Sequence, residues 1–156
     1  MTTDHSPSVY NRKAHHDYAV LESFEVGLVL KGTEVKSIRA GKAQLHESFA
    51  RIERGEVWLY NMHVAPYDHG NIYNMDPIRK RKLLLKKKEI GKLDSKIREK
   101  GLTLIPLKMY FTRGMAKIQL AMAKGKTHGD KRESLKLKEA SRDIDRAMSS
   151  RQKRRF

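Results

Sequence analysis

A short basic segment of this chain has the chemistry needed to bind phosphate. Residues 76–88, DPIRKRKLLLKKK, hold seven Lys or Arg and a single acidic residue, Asp76. Arginine grips phosphate through two parallel hydrogen bonds or stacks on a base, whereas lysine acts as a point charge. Pro77 favours an extended chain, which would present cations on both faces, and the leucine triplet would anchor them to a core. We therefore expect this segment to bind a polyanion, with a merely solvated charged surface as the alternative.

A second cluster, residues 11–18 with the sequence NRKAHHDY, combines histidine, asparagine and aspartate. Such side chains could ligate a metal or transfer protons. On an extended strand, however, adjacent His15 and His16 would point apart, and the sequence offers no third or fourth ligand. We therefore predict no metal site here, and instead an edge at which His and Tyr side chains stack on RNA bases.

Two further motifs carry charge close to glycine. Glu34 lies within residues 32–43, GTEVKSIRAGKA, and is an acid in basic surroundings. It can form an ion pair, or accept hydrogen bonds from base amino groups or a 2′-hydroxyl, and the sequence does not separate these roles. Residues 121–132, AMAKGKTHGDKR, contain a Gly-Lys pair without the spacing of a P-loop, so we predict no nucleotide hydrolysis.

The charge balance indicates the class of partner. The chain has 156 residues and a formal net charge of +16. Residues 123–156 hold twelve basic and five acidic residues, a net of +7, which leaves +9 for the rest. Phosphate backbones reward such an excess of cations through counterion release, so nucleic acid is the leading partner. A membrane surface fits less well, because the sequence has no strongly apolar amphipathic face.

Several classes of protein are excluded by what the sequence lacks. It has no apolar run of about 18 residues that could cross a membrane. Its first residues lack the apolar core of a secretory signal. The chain has no cysteine, which excludes disulfides and thiolate metal sites and fits a reducing compartment. We expect a cytoplasmic protein.

The elements that must position these motifs are mostly strands. Alternation and turn residues predict two hairpins, and Pro106 should mark an edge or a bulge. A helical stripe of Leu83, Ile90, Leu93 and Ile97 predicts a helix that stops at Gly101. We further predict a strand at 18–24, a short helix at 25–31 and a strand at 33–39; the two hairpins pair 49–52 with 57–60 and 102–111 with 115–122.

These elements predict a mainly β fold, a small OB-type β-barrel of about six antiparallel strands with flanking helices. We expect a flexible arm at residues 1–10, the barrel at 11–122 and a basic tail at 123–156. The tail has too little apolar surface to fold alone. Leu137, Ala140, Ile144 and Met148 form a narrow stripe, which favours a helix only once the tail is bound.

Together the four motifs resemble those of one family, the SsrA-binding proteins, also called small protein B. The matching pieces are NRKAHHDY, KGTEVKSIRAGKA, DPIRKRKLLL and AKGKTHGDKR, in the family's order and spacing from about Asn11 to Arg132. Two departures stand out. His15 occupies a position where relatives often carry Arg, and Gly129 precedes Asp130 where many place His or an aromatic residue. His128, one position earlier, is a candidate replacement.

The resemblance implies a non-catalytic protein without cofactor or metal. It would bind the tRNA-like part of transfer-messenger RNA and bring it to ribosomes stalled on messages that lack a stop codon. The implied partners are this RNA and the decoding region and mRNA channel of the ribosome. Elongation factor Tu and alanyl-tRNA synthetase would join through the RNA, and the protein would act as a monomer.

Carried over by motif, the resemblance implies two groups of site residues. The candidates that face transfer-messenger RNA are Asn11, Arg12, Lys13, His16, Tyr18, Glu34, Lys36, Ser37, Arg39, Arg79, Arg81, Lys82 and Leu84. The candidates in the ribosome-contacting tail are Lys124, Gly125, Lys126, His128, Asp130, Lys131, Arg132, Lys136, Lys138, Arg142, Ile144, Arg146 and Met148.

Other functions remain as alternatives. Charge, size and tail also fit a ribosome-associated or ribosome-assembly RNA-binding protein. A single-stranded DNA-binding module of the OB type is a further possibility. A nuclease built from His16, Asp17, His63, Asp68 and His69 is disfavoured, because nothing in the sequence brings a carboxylate pair together for a metal ion.

Overall fold

The structure, a computed structural model, describes residues 7–68, 74–126, 139–144 and 146–147. The chain divides into one unit at Met1–Gly125 and a second at Lys126–Phe156. In the second unit, residues 139–144 and 146–147 are helical and exposed. The first unit contains nine strands and three helices among its described residues.

The elements of the first unit follow one another along the chain with short connections. The strands are β1 (Val9–Tyr10), β2 (Tyr18–Leu28), β3 (Ala43–Gln44), β4 (Phe49–Glu53), β5 (Glu56–Tyr60), β6 (His63–Val64), β7 (Arg81–Leu84), β8 (Thr103–Thr112) and β9 (Met115–Gly125). The helices are α1 (Ala14–Asp17), α2 (Gly32–Arg39) and α3 (Lys87–Lys100).

The main sheet closes on itself. Its strand order is β1-β8-β4-β5-β7-β2-β9, all pairings are antiparallel, and β9 also pairs with β8. Six strands therefore form a hydrogen-bonded ring, and β1 is added at the outer side of β8. A closed ring leaves few unpaired strand edges. The predicted mainly β, antiparallel fold with about six strands is confirmed.

Both predicted hairpins are present, and their turns explain why the sequence announces them. Arg54 and Gly55 have φ angles of 51° and 75°, and Arg113 and Gly114 have the same pair of values. Positive φ at both central residues is the signature of the two-residue turn whose twist matches that of the strands. The pairing register slips between Pro106 and Lys108, which is the predicted bulge.

Alternation along the strands fills the inside of the ring. On β5, Val57 and Leu59 are completely buried, whereas Trp58 and Tyr60 between and beyond them are half-buried on the other face. On β9, Ile118 and Leu120 are completely buried as well. Burying one such aliphatic side chain contributes about 1.5–3 kcal/mol. The core of the ring therefore fixes the orientation of every strand that carries a candidate residue.

Helix α3 covers part of this core, as its stripe predicts. Ile90 and Leu93 are buried and Ile97 is half-buried against the core cluster. Gly101 ends the helix with a φ of 62°, a left-handed conformation that glycine adopts without strain. Leu83, the fourth residue of the predicted stripe, belongs instead to strand β7.

Two predicted elements are exchanged in the structure. Residues 25–28, predicted as the start of a helix, continue strand β2, because Val26 and Leu28 alternate into the core opposite β9 and β7. The predicted strand at 33–39 is helix α2. Its N-terminus is satisfied by Glu34, whose carboxylate accepts a hydrogen bond of 2.9 Å from the Lys31 backbone N–H.

Candidate nucleic-acid interface

A buried carboxylate joins two of the sequence motifs. Glu34, on α2, is only 3% exposed and accepts hydrogen bonds from two arginines that lie 45 and 47 residues later. Arg79 binds both carboxylate oxygens, its Nε at 3.1 Å from Oε2. Arg81 places Nε at 2.7 Å and Nη2 at 2.6 Å from Oε2. Of the roles open to Glu34, the structure gives it the ion pair.

Arg81 is completely buried, and every arm of its guanidinium is engaged. Nη1 donates to the carbonyl oxygens of Met62 at 2.6 Å and Arg79 at 3.2 Å. Nη2 also donates to the Pro77 carbonyl oxygen at 3.2 Å. A buried charge is tolerable only when it is paired and hydrogen-bonded in this way. Arg81 thereby fixes residues 77–79 against the ring and α2.

These contacts hold Glu34 in its charged form. Burial by itself would raise the pKa of Glu34, but hydrogen bonds from Arg79 and the Lys31 backbone, with the charge of Arg81, outweigh burial and lower it. The carboxylate is therefore ionised at neutral pH. Two arginine charges meet one carboxylate, so the cluster keeps a net positive charge next to the surface.

Exposed cations surround this cluster. Arg79 retains 23% of its side-chain exposure, and Lys36 and Arg39 project from α2. The Lys36 amino group lies 5.3 Å from the centre of the Tyr67 ring, and the Arg39 guanidinium lies 5.1 Å from that of Phe111. Such cation–π contacts limit the motion of long side chains. We call Lys36, Arg39 and Arg79 the α2 surface.

The N-terminal motif is fixed beside the same region. The Asn11 side chain donates to the Pro106 carbonyl oxygen at 2.9 Å, and Ala14 is buried in a small cluster with Ile105. This anchoring leaves Arg12 and Lys13 exposed. Arg12 shares a shallow cleft with the residues that follow α2, namely Gly41, Ala43, Gln44 and His46. Residues 14–17 form the short helix α1 rather than the expected extended edge.

The start of the fourth motif lies next to the first. Tyr18, the first residue of β2, is paired with Gly125, and Ala19 is paired with Lys124. Strand β9 therefore continues three residues beyond its predicted end at Met122. His16, half-exposed just before β2, donates to or accepts from Asp17 at 2.9 Å. The ring thus brings together parts of all four motifs.

The remaining candidates are placed differently. Glu34, Ser37 and Arg81 are buried, so their side chains support the surface from below. Lys82 lies on the outer face of β7 and is 3.4 Å from Glu56, while Leu84 is 53% exposed and packs over Gly27. In the second unit Arg142, Ile144 and Arg146 are exposed. The other tail candidates lie outside the described residues: His128, Asp130, Lys131, Arg132, Lys136, Lys138 and Met148.

The sequence did not indicate the partners that hold these cations. Tyr67 and Phe111 under Lys36 and Arg39 are 31 and 72 residues away along the chain, and no local pattern connects them. Lys42 was not singled out either, and its amino group lies 3.4 Å from Asp68. That contact commits one of the acids considered for a nuclease. Within the described ranges, no cluster of His, Asp or Glu could hold a metal ion, and no helix has the length and apolarity needed to cross a membrane.

A small basic β-protein with cations fixed around a ring of strands belongs to the class of RNA-binding proteins. The family profile described as "SmpB: SmpB protein" matches residues 8–150. The chain belongs to the SmpB family, which confirms the resemblance seen in its motifs.

Relatives match over most of the chain. A protein named SsrA-binding protein from Bacillus subtilis (strain 168) is 57% identical over 143 residues, which is 92% of each chain. Its namesake from Carboxydothermus hydrogenoformans is 58% identical over 141 residues, 90% of this chain and 95% of that protein. A chain solved under the description "tmRNA-SmpB: a journey to the center of the bacterial ribosome" is 52% identical. It superposes with a TM-score of 0.66 over 83% of this chain and 94% of that one.

Proposed function

We propose that this protein binds the tRNA-like part of transfer-messenger RNA and delivers it to stalled ribosomes for trans-translation, without catalysing a reaction. Membership of the SmpB family, relatives named SsrA-binding proteins and a solved tmRNA-SmpB neighbour support this function. The observation that carries it is the union of three distant motifs around Glu34, with Lys36, Arg39 and Arg79 at the surface. Translation takes place in the cytoplasm, which is the compartment of this family.

The geometry favours recognition of a folded RNA by its shape. The α2 surface and the exposed Arg12 and Lys13 are carried by rigid elements rather than by loose loops. Fixed cations match the spacing of phosphates in one RNA fold better than in others. We infer that the six-strand ring is an OB-type barrel, a fold that presents loops and strand faces to nucleic acid.

The tail supplies the second partner. We infer that residues 126–156 are disordered alone and become helical inside the mRNA channel, beginning near the decoding region. The exposed Arg142 and Arg146 are four residues apart, so both would lie on one side of such a helix, where they could meet ribosomal phosphates. Elongation factor Tu and alanyl-tRNA synthetase would assemble through the bound RNA, and the protein would act as a monomer.

The α2 surface can be tested by replacing Arg79 with Ala. A charge-assisted hydrogen bond contributes about 1.5–3 kcal/mol, so we expect the affinity for the tRNA-like fragment to fall about 10- to 100-fold. The slope of log K against log salt should become shallower by about 0.7–0.9 for each phosphate that the variant no longer neutralises. Thermal denaturation of the variant shows whether it remains folded at the binding temperature.

The matched control is Lys100→Ala, which removes one exposed cation at the far end of α3. It should change the affinity by less than about twofold, because a distant surface charge contributes little. An equal fall in affinity for the two variants, in folded proteins, would mean that binding is undirected electrostatics and would overturn the proposed surface.

The division of labour can be tested by ending the chain after Lys126. This position keeps the pairs of Tyr18 with Gly125 and of Ala19 with Lys124, so the ring stays complete. We expect the truncated protein to bind the tRNA-like fragment as the full chain does and to lose tagging of stalled products in a translation extract. Normal tagging would refute the role of the tail.

The alternative, a ribosome-assembly protein, predicts a different set of bound RNAs. Sequencing of RNA that co-purifies with the protein should return one dominant transfer-messenger RNA. A broad mixture of ribosomal RNA, found with mature subunits whether or not they are stalled, would favour the alternative.

A further inference from the structure

The outer face of β4, β5 and β7 is an arrangement that the sequence motifs did not single out. Phe49 lies opposite Tyr60, Arg51 lies opposite Trp58, and Trp58 lies opposite Lys82. Directly paired residues share one face of a sheet. We define the ring–cation face as Phe49, Arg51, Trp58, Tyr60, Lys80 and Lys82.

Planar groups on this face are stacked in order. The rings of Phe49 and Tyr60 are 5.4 Å apart between centres and inclined by only 9°. The Arg51 guanidinium lies 5.4 Å from the centre of Phe49 and 5.8 Å from that of Tyr60. The Lys80 amino group lies 4.7 Å from the centre of Trp58. The rings are half-buried, so each keeps part of its surface available.

Core packing does not require these aromatic rings on the outside. The opposite face of the same strands supplies Ala50, Val57, Leu59 and Leu83, all of which are buried. The inner face thus accounts for the stability of this part of the ring. Three large rings collected on the outer face of a basic protein are of the kind that proteins use to contact a partner.

The charge of this face indicates what kind of partner fits. Two acids accompany its cations: Glu53 accepts a hydrogen bond from the Tyr60 hydroxyl and lies 3.6 Å from Lys80, and Glu56 lies 3.4 Å from Lys82. Three cations against two acids leave little net attraction for phosphate or for an acidic protein. A ligand must therefore be recognised mainly through the planar rings.

We propose that the ring–cation face binds an unpaired stretch of RNA by stacking its bases on the aromatic rings. Every base has a flat π-face that stacks on Trp, Tyr or Phe, and arginine adds its own planar group. A double helix hides those faces, and an acidic peptide has none to offer. The face differs from the α2 surface, because Arg81, the neighbour of Lys82, points into the core and not outward. This site is additional to the binding of the tRNA-like RNA.

The chain contains one tryptophan, which makes Trp58 a direct reporter. The full chain is titrated with single-stranded oligouridylate or oligoadenylate of about 10 nucleotides, within the usual range of sites on such folds. We expect the fluorescence of Trp58 to be quenched at saturation. A blunt RNA duplex of the same length should leave the emission unchanged.

The double substitution Arg51→Ala with Lys80→Ala removes the two cations over the rings and keeps the reporter. It should weaken quenching by the oligonucleotide about tenfold or more. The matched control, Lys88→Ala with Lys100→Ala, removes two exposed cations from α3 and should leave the affinity within about twofold. Trp58→Phe keeps an aromatic ring, so it should bind a labelled oligonucleotide nearly as the unsubstituted chain does.

Four outcomes would overturn the proposal. They are the absence of quenching, equal quenching by the duplex, equal quenching by polyglutamate, and equal weakening by the two double substitutions. A saturating amount of tRNA-like RNA gives the remaining test. Quenching that persists in its presence supports a separate site, and quenching that disappears would assign the face to the first interface.

Discussion

Replacing Glu34 with Gln tests the central contact of this protein. The substitution preserves the shape of the side chain and removes the carboxylate that pairs with both Arg79 and Arg81. Arg81 is completely buried, so its charge would stay in the core with carbonyl oxygens alone to compensate it. Arg79, at the surface, would turn toward water. The variant should therefore lose stability and, separately, the fixed position of a surface cation.

The expected magnitude follows from the burial of the pair. Removing one partner of a buried ion pair costs about 3–5 kcal/mol. For a chain of this size each kcal/mol shifts Tm by about 2–4 °C, so we expect Tm to fall by about 6–20 °C. Total stability is typically about 5–15 kcal/mol, so the protein should still fold at low temperature.

The sign of the pH dependence follows from the lowered pKa of Glu34. Its value in the unfolded chain is near 4.5, and arginine contacts hold the folded value below that. A lowered folded pKa contributes stability that is fully present above 4.5 and is lost as the pH falls through the folded pKa. The difference in Tm between the unsubstituted chain and Glu34→Gln should therefore be constant from pH 7 to about 5.5 and shrink below 4.5.

Differential scanning calorimetry with circular dichroism measures these differences. Glu99→Gln, at an exposed position of α3, is the control and should shift Tm by less than about 2 °C. Combining Glu34→Leu with Arg81→Met should cost far less than the two single changes added together, because both buried charges then disappear. If Glu34→Gln melts at the temperature of the control, the buried ion pair contributes nothing and the reasoning fails.

Further predictions concern backbone and titration. Gly101→Ala should destabilise by about 1 kcal/mol, because its φ of 62° is strained for alanine, whereas Gly91→Ala, with open space in mid-helix, should stabilise by about 0.5–1 kcal/mol; urea midpoints measure both, and shifts of the same sign would contradict this account. Burial, with the hydrogen bond and charge of Glu25, raises the pKa of Tyr110 to about 12, so stability from this contact should be complete below pH 10 and lost as the pH rises through 12. Absorbance titration should show one late tyrosine step that moves to lower pH in Glu25→Gln, and an unmoved step would rule out the assignment.

The sequence predicted the local parts of this fold well. Both hairpins were predictable because Arg54-Gly55 and Arg113-Gly114 require positive φ, which only a few residue types supply. The helix before Gly101 was predictable from its apolar stripe and its glycine stop. These signals lie within a few residues of the structure they specify.

Elements that depend on distant partners were not predictable in this way. Residues 25–28 form a strand because β7 and β9 lie beside them, and nothing within the segment announces those neighbours. The pairing of Glu34 with Arg79 and Arg81 bridges 45 and 47 residues, so its burial could not be inferred locally. The motifs identified the region of the site, and only the closed ring separates surface cations from buried ones.

The pairing of Tyr18 with Gly125 has a consequence for how two large partners would be held together. Paired strands lie about 4.8 Å apart, so the first residue of β2 and the last residue of β9 are immediate neighbours. An RNA grasped at residues 11–18 and a ribosome surface grasped beyond Gly125 would thus be tied to adjacent points of one rigid sheet. Backbone geometry then sets the distance between the two attachment points, so the protein can act as a short, inextensible link between its cargoes.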